Sequence, residues 1–220
     1  MNRTSRIVAG AATAASTLYL LACGVLGYNA RSLLYHPTPR SGDVANWRFS
    51  RPGADIVVSG TQRESDHLVL YFGGNAEDVS LTLPMLEQVY PQAAIHAMHY
   101  RGYGGSTGVP TERDLVADAL ALHDALAAPG TRVTIVGRSL GTGIAIQLAA
   151  ARPSERLVLI TPYNSIAELG QQRFPIFPVR LLLRDRYESW RYAPRHPHAH
   201  HDRRRRQGRG DLQREFVAAG

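Results

Sequence analysis

The sequence predicts a three-layer α/β/α sandwich built on a mostly parallel sheet. Two observations carry that expectation. Strand-like and helix-like segments alternate from residue 67 to residue 161, which calls for parallel strands covered by helices on both faces. The run Thr134-Ile135-Val136-Gly137-Arg138-Ser139-Leu140-Gly141-Thr142-Gly143 places a Gly-x-Ser-x-Gly turn between a β-branched run and a helix-forming run. Such a turn forces the Ser backbone into strain, and neighbours without a Cβ let strand and helix close on one another.

The elements follow in order. Residues 7–27 lack charge and proline, follow Arg3 and Arg6, and are long enough to cross a bilayer as a helix. We expect an uncleaved signal anchor there, with the N-terminus cytoplasmic under the positive-inside rule. The body then lies on the periplasmic side of a bacterial inner membrane. A cleaved signal is a second reading. Leu20-Leu21-Ala22-Cys23 supplies a third, a lipoprotein acylated at Cys23. Residues 29–42 read as a connector. Strands are expected at Trp47–Ser50, Ile56–Ser59, His67–Phe72, Ala94–His99, Arg132–Gly137 and Arg156–Thr161. Helices are expected at Val79–Val89, from a Thr111 cap through Leu126, and over Ile144–Ala151. The domain reading is therefore an anchor or signal segment over 1–30, an incomplete α/β body over 31–194 and a basic, disordered tail over 195–220.

Charge excludes one function class. All basic residues are Arg, and the net charge of +7 is carried largely by the stretch after Pro194. The body is nearly neutral and has no basic stripe interleaved with aromatics, so no nucleic-acid partner is expected. The chain has one cysteine, which rules out an intrachain disulfide. No cofactor or metal is expected.

Ligands in such sheets bind beyond the carboxyl ends of the strands, and Asn75, Arg101 and Ser139 all follow predicted strand ends. Ser139 is the candidate nucleophile. The main-chain N–H groups of Leu140 and Asn75 are the candidate oxyanion donors, with Gly73, Gly74, Gly137 and Gly141 permitting the close backbone approach. His67, His96, His99 and His123 precede Ser139 and read as structural. Arg101 reads as a loop-holding residue.

Three ordered blocks resemble the α/β-hydrolase superfamily, in particular its membrane-anchored, serine-aminopeptidase-like branch. They are Tyr71-Phe72-Gly73-Gly74-Asn75-Ala76, Tyr100-Arg101-Gly102-Tyr103-Gly104-Gly105-Ser106-Thr107-Gly108 and Gly137-Arg138-Ser139-Leu140-Gly141. The resemblance covers about residues 30–194 and implies a serine hydrolase acting on an ester, thioester or amide through an acyl-enzyme. The first block departs from the His-Gly-Asn common among relatives, at a position that is not the catalytic base. The resemblance also implies an Asp and then a His on later strands. After Pro194 the sequence instead turns to Arg195-His196-Pro197-His198-Ala199-His200-His201-Asp202 and four successive Arg, which reads as a GC-rich gene translated out of register. The expectation is an impaired hydrolase, with a non-catalytic remnant of the fold as the alternative.

Overall fold

In a computed structural model of the chain, residues 2–192 are described. Helix α1 spans Arg3–Leu34, capped by the Asn2 side chain accepting from the Ser5 N–H. It runs further than residues 7–27, through part of the expected connector, because no helix breaker occurs before Pro37. Six strands follow: β1 (Asn46–Arg51), β2 (Ala54–Gly60), β3 (His67–Phe72), β4 (Ala94–Met98), β5 (Arg132–Arg138) and β6 (Arg156–Ile160). They form one sheet in the order β1-β2-β4-β3-β5-β6. The pairs β1/β2 and β2/β4 are antiparallel. The pairs β3/β4, β3/β5 and β5/β6 are parallel.

The alternating side chains of β3 build the layers, since successive residues on a strand point to opposite faces. Leu68, Leu70 and Phe72 join the larger core, with Ile135 of β5 and the helices α3 (Glu112–Leu126) and α4 (Leu140–Ala151). Val69 and Tyr71 join the opposite core with Ile95 and Ala97 of β4 and with α2 (Leu83–Val89). Both faces of β3 are therefore dry, as the unbroken apolar run from Leu68 to Phe72 requires.

Two helices depart from expectation. The segment Val79–Val89 splits into a short 3-10 turn at Val79–Leu81 and then α2, with Pro84 in the first turn of α2. Proline lacks the N–H for an intrahelical bond and clashes with the preceding turn, so it starts a helix rather than continuing one. Helix α4 begins at Leu140, not Ile144. Beyond β6 the chain forms α5 (Ile166–Arg173), capped by the Ser165 side chain on the N–H groups of Ala167 and Glu168, and one turn of helix, α6 (Val179–Leu182).

The body is expected to lose stability in mild acid through His99. This residue follows β4, is 2% exposed, and places Nε2 2.9 Å from Ser59 Oγ. Burial depresses its imidazole to about 4; Asp78 opposes the shift and Arg40 adds to it. Because the folded state resists protonation, the native state binds fewer protons than the unfolded chain between pH 6.5 and 4. The stability is complete above about pH 6.5 and falls as pH drops towards 4, by up to about 3 kcal/mol. Burial of His96 acts in the same direction. Urea midpoints at pH 7.5 and 4.5 should differ clearly in the parent and much less in His99→Gln. An equal pH dependence in the two proteins would contradict the assignment.

Candidate active site

The site lies where the strand order reverses. From β3 the chain first adds β4 on one side, then crosses to add β5 and β6 on the other. The crevice between the carboxyl ends of β3 and β5 is the switch point at which open α/β sheets bind ligands. Phe72 and Gly137 are paired across these two strands, so the loops that leave them emerge side by side.

Ser139 occupies the turn from β5 into α4 with φ 48° and ψ −116°. A positive φ at a non-glycine residue costs on the order of 1–3 kcal/mol and persists only where the surroundings enforce it. Here they do. The Ser139 N–H donates to the Ile160 carbonyl at 2.9 Å, and its carbonyl accepts from the Thr142 N–H at 2.9 Å and from Thr142 Oγ1 at 2.7 Å. The side chain is exposed at the mouth of the crevice, and among the described residues nothing hydrogen-bonds its hydroxyl. The glycines flanking the turn are set by contact distance. A Cβ on Gly137 would stand 2.7 Å from Ala145 Cβ and from the Gly141 carbonyl oxygen; one on Gly141 would stand 2.0 Å from the Phe72 carbonyl oxygen.

The loop after β3 meets this turn from the other side. A Cβ on Gly74 would lie 3.5 Å from Ser139 Cβ. The loop is fastened at successive residues. Tyr100 Oη donates to the Gly73 carbonyl at 2.6 Å, and the Gly74 N–H donates to Glu77 Oε2 at 2.6 Å. Glu77 is held in turn by Tyr71 Oη at 2.6 Å, by Thr82 Oγ1 at 2.8 Å and by Arg138 at 3.5 Å. The Asn75 side chain is engaged by the end of α1, by the segment after it and by Tyr103. Its Oδ1 accepts from Tyr103 Oη at 2.7 Å and from the His36 N–H at 3.0 Å, and its Nδ2 donates to the Leu34 carbonyl. The main-chain N–H of Asn75 has no acceptor among the described residues. The N–H of Leu140, as the first residue of α4, has no intrahelical acceptor. The structure thus gathers Ser139, Leu140, Gly73, Gly74, Asn75, Gly137 and Gly141 at one rim.

Arg101 is turned elsewhere. It makes a bidentate pair with the fully buried Asp118 of α3, at 2.8 and 2.9 Å, and so ties the loop after β4 to that helix. His67 bonds Thr134 Oγ1 at 2.9 Å, and His123 lies 3.2 Å from the Pro153 carbonyl oxygen, both within the scaffold. Glu77, Tyr100 and Thr142 are missed by the sequence reading. Glu77 alone left a signal, an acid three residues after a glycine pair in a predicted loop. No group of three or more His, Cys, Asp or Glu suited to a metal occurs among the described residues. The four tail histidines lie outside those residues.

Comparison with known proteins decides the family. The model of the alpha/beta hydrolase family matches residues 70–219. The chain belongs to the α/β-hydrolase family. An uncharacterized protein of Mycobacterium tuberculosis is 34% identical over 192 residues, covering 77% of this chain and 68% of that protein. The lysophosphatidylserine lipase ABHD12 of Gallus gallus is 31% identical over 145 residues, covering 61% of this chain and 37% of the lipase. The hydrolase fold recurs in the solved structure of mouse alpha/beta hydrolase domain-containing protein 10, with TM-score 0.50 at 18% identity, covering 63% of this chain and 57% of that one. The chain thus spans about two thirds of the mycobacterial relative and little more than a third of the lipase. The alternative of a non-catalytic remnant draws no support from these hydrolase relatives.

Proposed function

We propose that this chain is a membrane-anchored serine hydrolase of the serine-aminopeptidase-like branch, acting on an acyl ester, thioester or amide through an acyl-enzyme. The observation that carries the proposal is Ser139, held at φ 48° at the head of α4 against the Gly74 loop. In this reading the Ser139 hydroxyl attacks the acyl carbon, its proton passes to the alcohol, thiol or amine that departs as the tetrahedral intermediate collapses, and water then hydrolyses the acyl-enzyme and restores the serine. The developing oxyanion accepts from the N–H groups of Leu140 and Asn75, whose donors are fixed before substrate arrives. Glu77 and Tyr100 position the second donor by fastening Gly74 and Gly73. The name of the vertebrate relative favours an acyl ester of a lipid over a peptide.

The membrane part of the proposal rests on α1, whose stretch Thr4–Leu34 is long and apolar enough to cross a membrane. The body then stands on the periplasmic side of a bacterial inner membrane. Among the described residues no side chain hydrogen-bonds the Ser139 hydroxyl, and a serine with no base to take its proton is a weak nucleophile.

Prolonged incubation with excess fluorophosphonate tests the nucleophile. The adduct should form slowly, map by mass spectrometry to Ser139, and be lost in Ser139→Ala. An adduct on another residue, unchanged in that variant, would remove Ser139 from the mechanism.

A further inference from the structure

The stretch after β6 holds α1 along half its length. Tyr19 Oη donates to the Ile176 carbonyl at 2.8 Å, and its ring stacks on Phe177 with centroids 6.0 Å apart. Gly27 lies against Leu182, so that a Cβ there would come within 3.5 Å of Leu182 Cδ2. Arg31 Nε pairs with Asp185 Oδ2 at 2.9 Å. The partners ascend together, so α1 from Tyr19 to Arg31 runs alongside residues 176–185.

This arrangement conflicts with a body suspended clear of the membrane. A hydrocarbon core about 30 Å thick takes about 20 helical residues. Arg6 bars the span from starting earlier than Ile7. Residues 7–18, which precede the first of these contacts, rise only about 18 Å. A helix that crosses on residues 7–27 therefore carries Tyr19 to Gly27, about 12 Å of its length, inside the bilayer. Whatever is packed on that stretch goes in with it.

The packed segment has the chemistry for it. Ile176 is 71% exposed and Leu181 80%, with Phe174 also exposed, and Leu18, Leu20, Leu21 and Val25 are exposed on the stretch of α1 that this segment accompanies. Arg173, Arg180, Arg184 and Trp190, in or next to this segment of the chain, are exposed. Arg stems lie along apolar surface while their guanidinium groups reach lipid phosphates, and Trp favours the same interfacial level.

We propose that residues 174–182 are immersed beside α1 in the outer half of the bilayer, occupied on their open side by phospholipid acyl chains. The proposal rests on the reading of α1 as a membrane-spanning anchor. It also sets the height of the site. Asn75 is bonded to the carbonyl of Leu34 at the end of α1, seven residues or about 10 Å past Gly27. The candidate oxyanion loop therefore stands just above the hydrocarbon boundary, within reach of an acyl ester that stays in the membrane.

The test uses the full chain in phosphatidylcholine vesicles, with Cys23→Ser and one bimane-labelled cysteine at a time. The positions are Leu20→Cys, Ile176→Cys, Leu181→Cys and Val109→Cys, the last an exposed apolar residue on the loop that leads into α3. Lipids carrying a nitroxide on the acyl chain serve as quenchers. Labels at 20, 176 and 181 should be quenched at least about two-fold more than the label at 109, as expected for side chains seated below the headgroups. Quenching at 20 with 176 and 181 resembling 109 overturns the immersion and leaves the anchor standing; a second copy of the chain covering this face gives that same result. No quenching at 20 overturns the anchor and the immersion together.

Discussion

Gly141→Ala is expected to abolish the cooperatively folded body or to destabilise it by about 4 kcal/mol or more, the range reserved for steric failures of the core. The added Cβ would stand 2.0 Å from the Phe72 carbonyl oxygen, 2.5 Å from the Phe72 carbonyl carbon and 2.7 Å from the Gly73 carbonyl oxygen. All three are backbone atoms of β3 and the loop after it. No rotamer change relieves the clash, so the first turn of α4 must lift off the sheet. That movement would also displace the Leu140 N–H and the Thr142 bonds that hold Ser139 in its strained conformation. Gly130→Ala provides the comparison. Gly130 has φ +86° but nothing within 4 Å of its Cβ position, so the expected cost is only that of a left-handed backbone, about 1–2 kcal/mol. Pulse proteolysis of the two detergent-solubilised variants across a urea series gives the measurement. Similar midpoints would show that α4 has more freedom over β3 than the contacts allow.

The contrast between these glycines marks what the sequence makes legible. The five-residue turn around Ser139 announces itself because its glycines are read together with a β-branched strand before and a helix after. The strands from His67 to Ile160 are legible for a related reason: each is a short apolar run that stops at Gly, at Thr-Pro or shortly before Tyr-Arg-Gly. The start of α4 is misjudged because Gly141 and Gly143 rank low in helix propensity. Their burial against Phe72, Tyr163 and Tyr187 outweighs that preference. Helix α5 carries a signal that goes unused, Ser165 followed three residues later by Glu168, the pattern of a capping box. The supports of the site are hidden for a different reason. Glu77 and Thr142 bond main-chain atoms three residues back, but Tyr100 acts on the Gly73 carbonyl, 27 residues away, which only the strand order brings near it. No local pattern encodes such a partner. The same holds for Tyr19 and Ile176, which are 157 residues apart in the chain.

Turnover of short acyl esters by this chain is expected to be weak, no more than the order of 10³–10⁴ over water that an oxyanion hole and binding supply without a working triad. The proposed donors are the N–H groups of Leu140 and Asn75, but among the described residues no imidazole or carboxylate hydrogen-bonds the Ser139 hydroxyl. The proton of an attacking serine must go to a base as the bond forms, and without one the nucleophile stays a neutral hydroxyl. Replacing His196, His198, His200 or His201 by Ala should leave this residual rate nearly unchanged. Adjacent residues such as His201 and Asp202 are badly placed for a relay in which the acid orients the far side of the imidazole. A chimera carrying after residue 192 a C-terminal segment with the Asp and His that the family resemblance implies should raise kcat/KM by at least about 10³, since loss of single triad members costs that much or more. Ser139→Ala in the chimera should remove the whole gain, and KM should change far less than kcat. Robust turnover by the parent chain, lost both in Ser139→Ala and in one tail-histidine variant, would show instead that the Arg- and His-rich tail supplies the base. Robust turnover insensitive to Ser139→Ala would move the chemistry to another residue altogether.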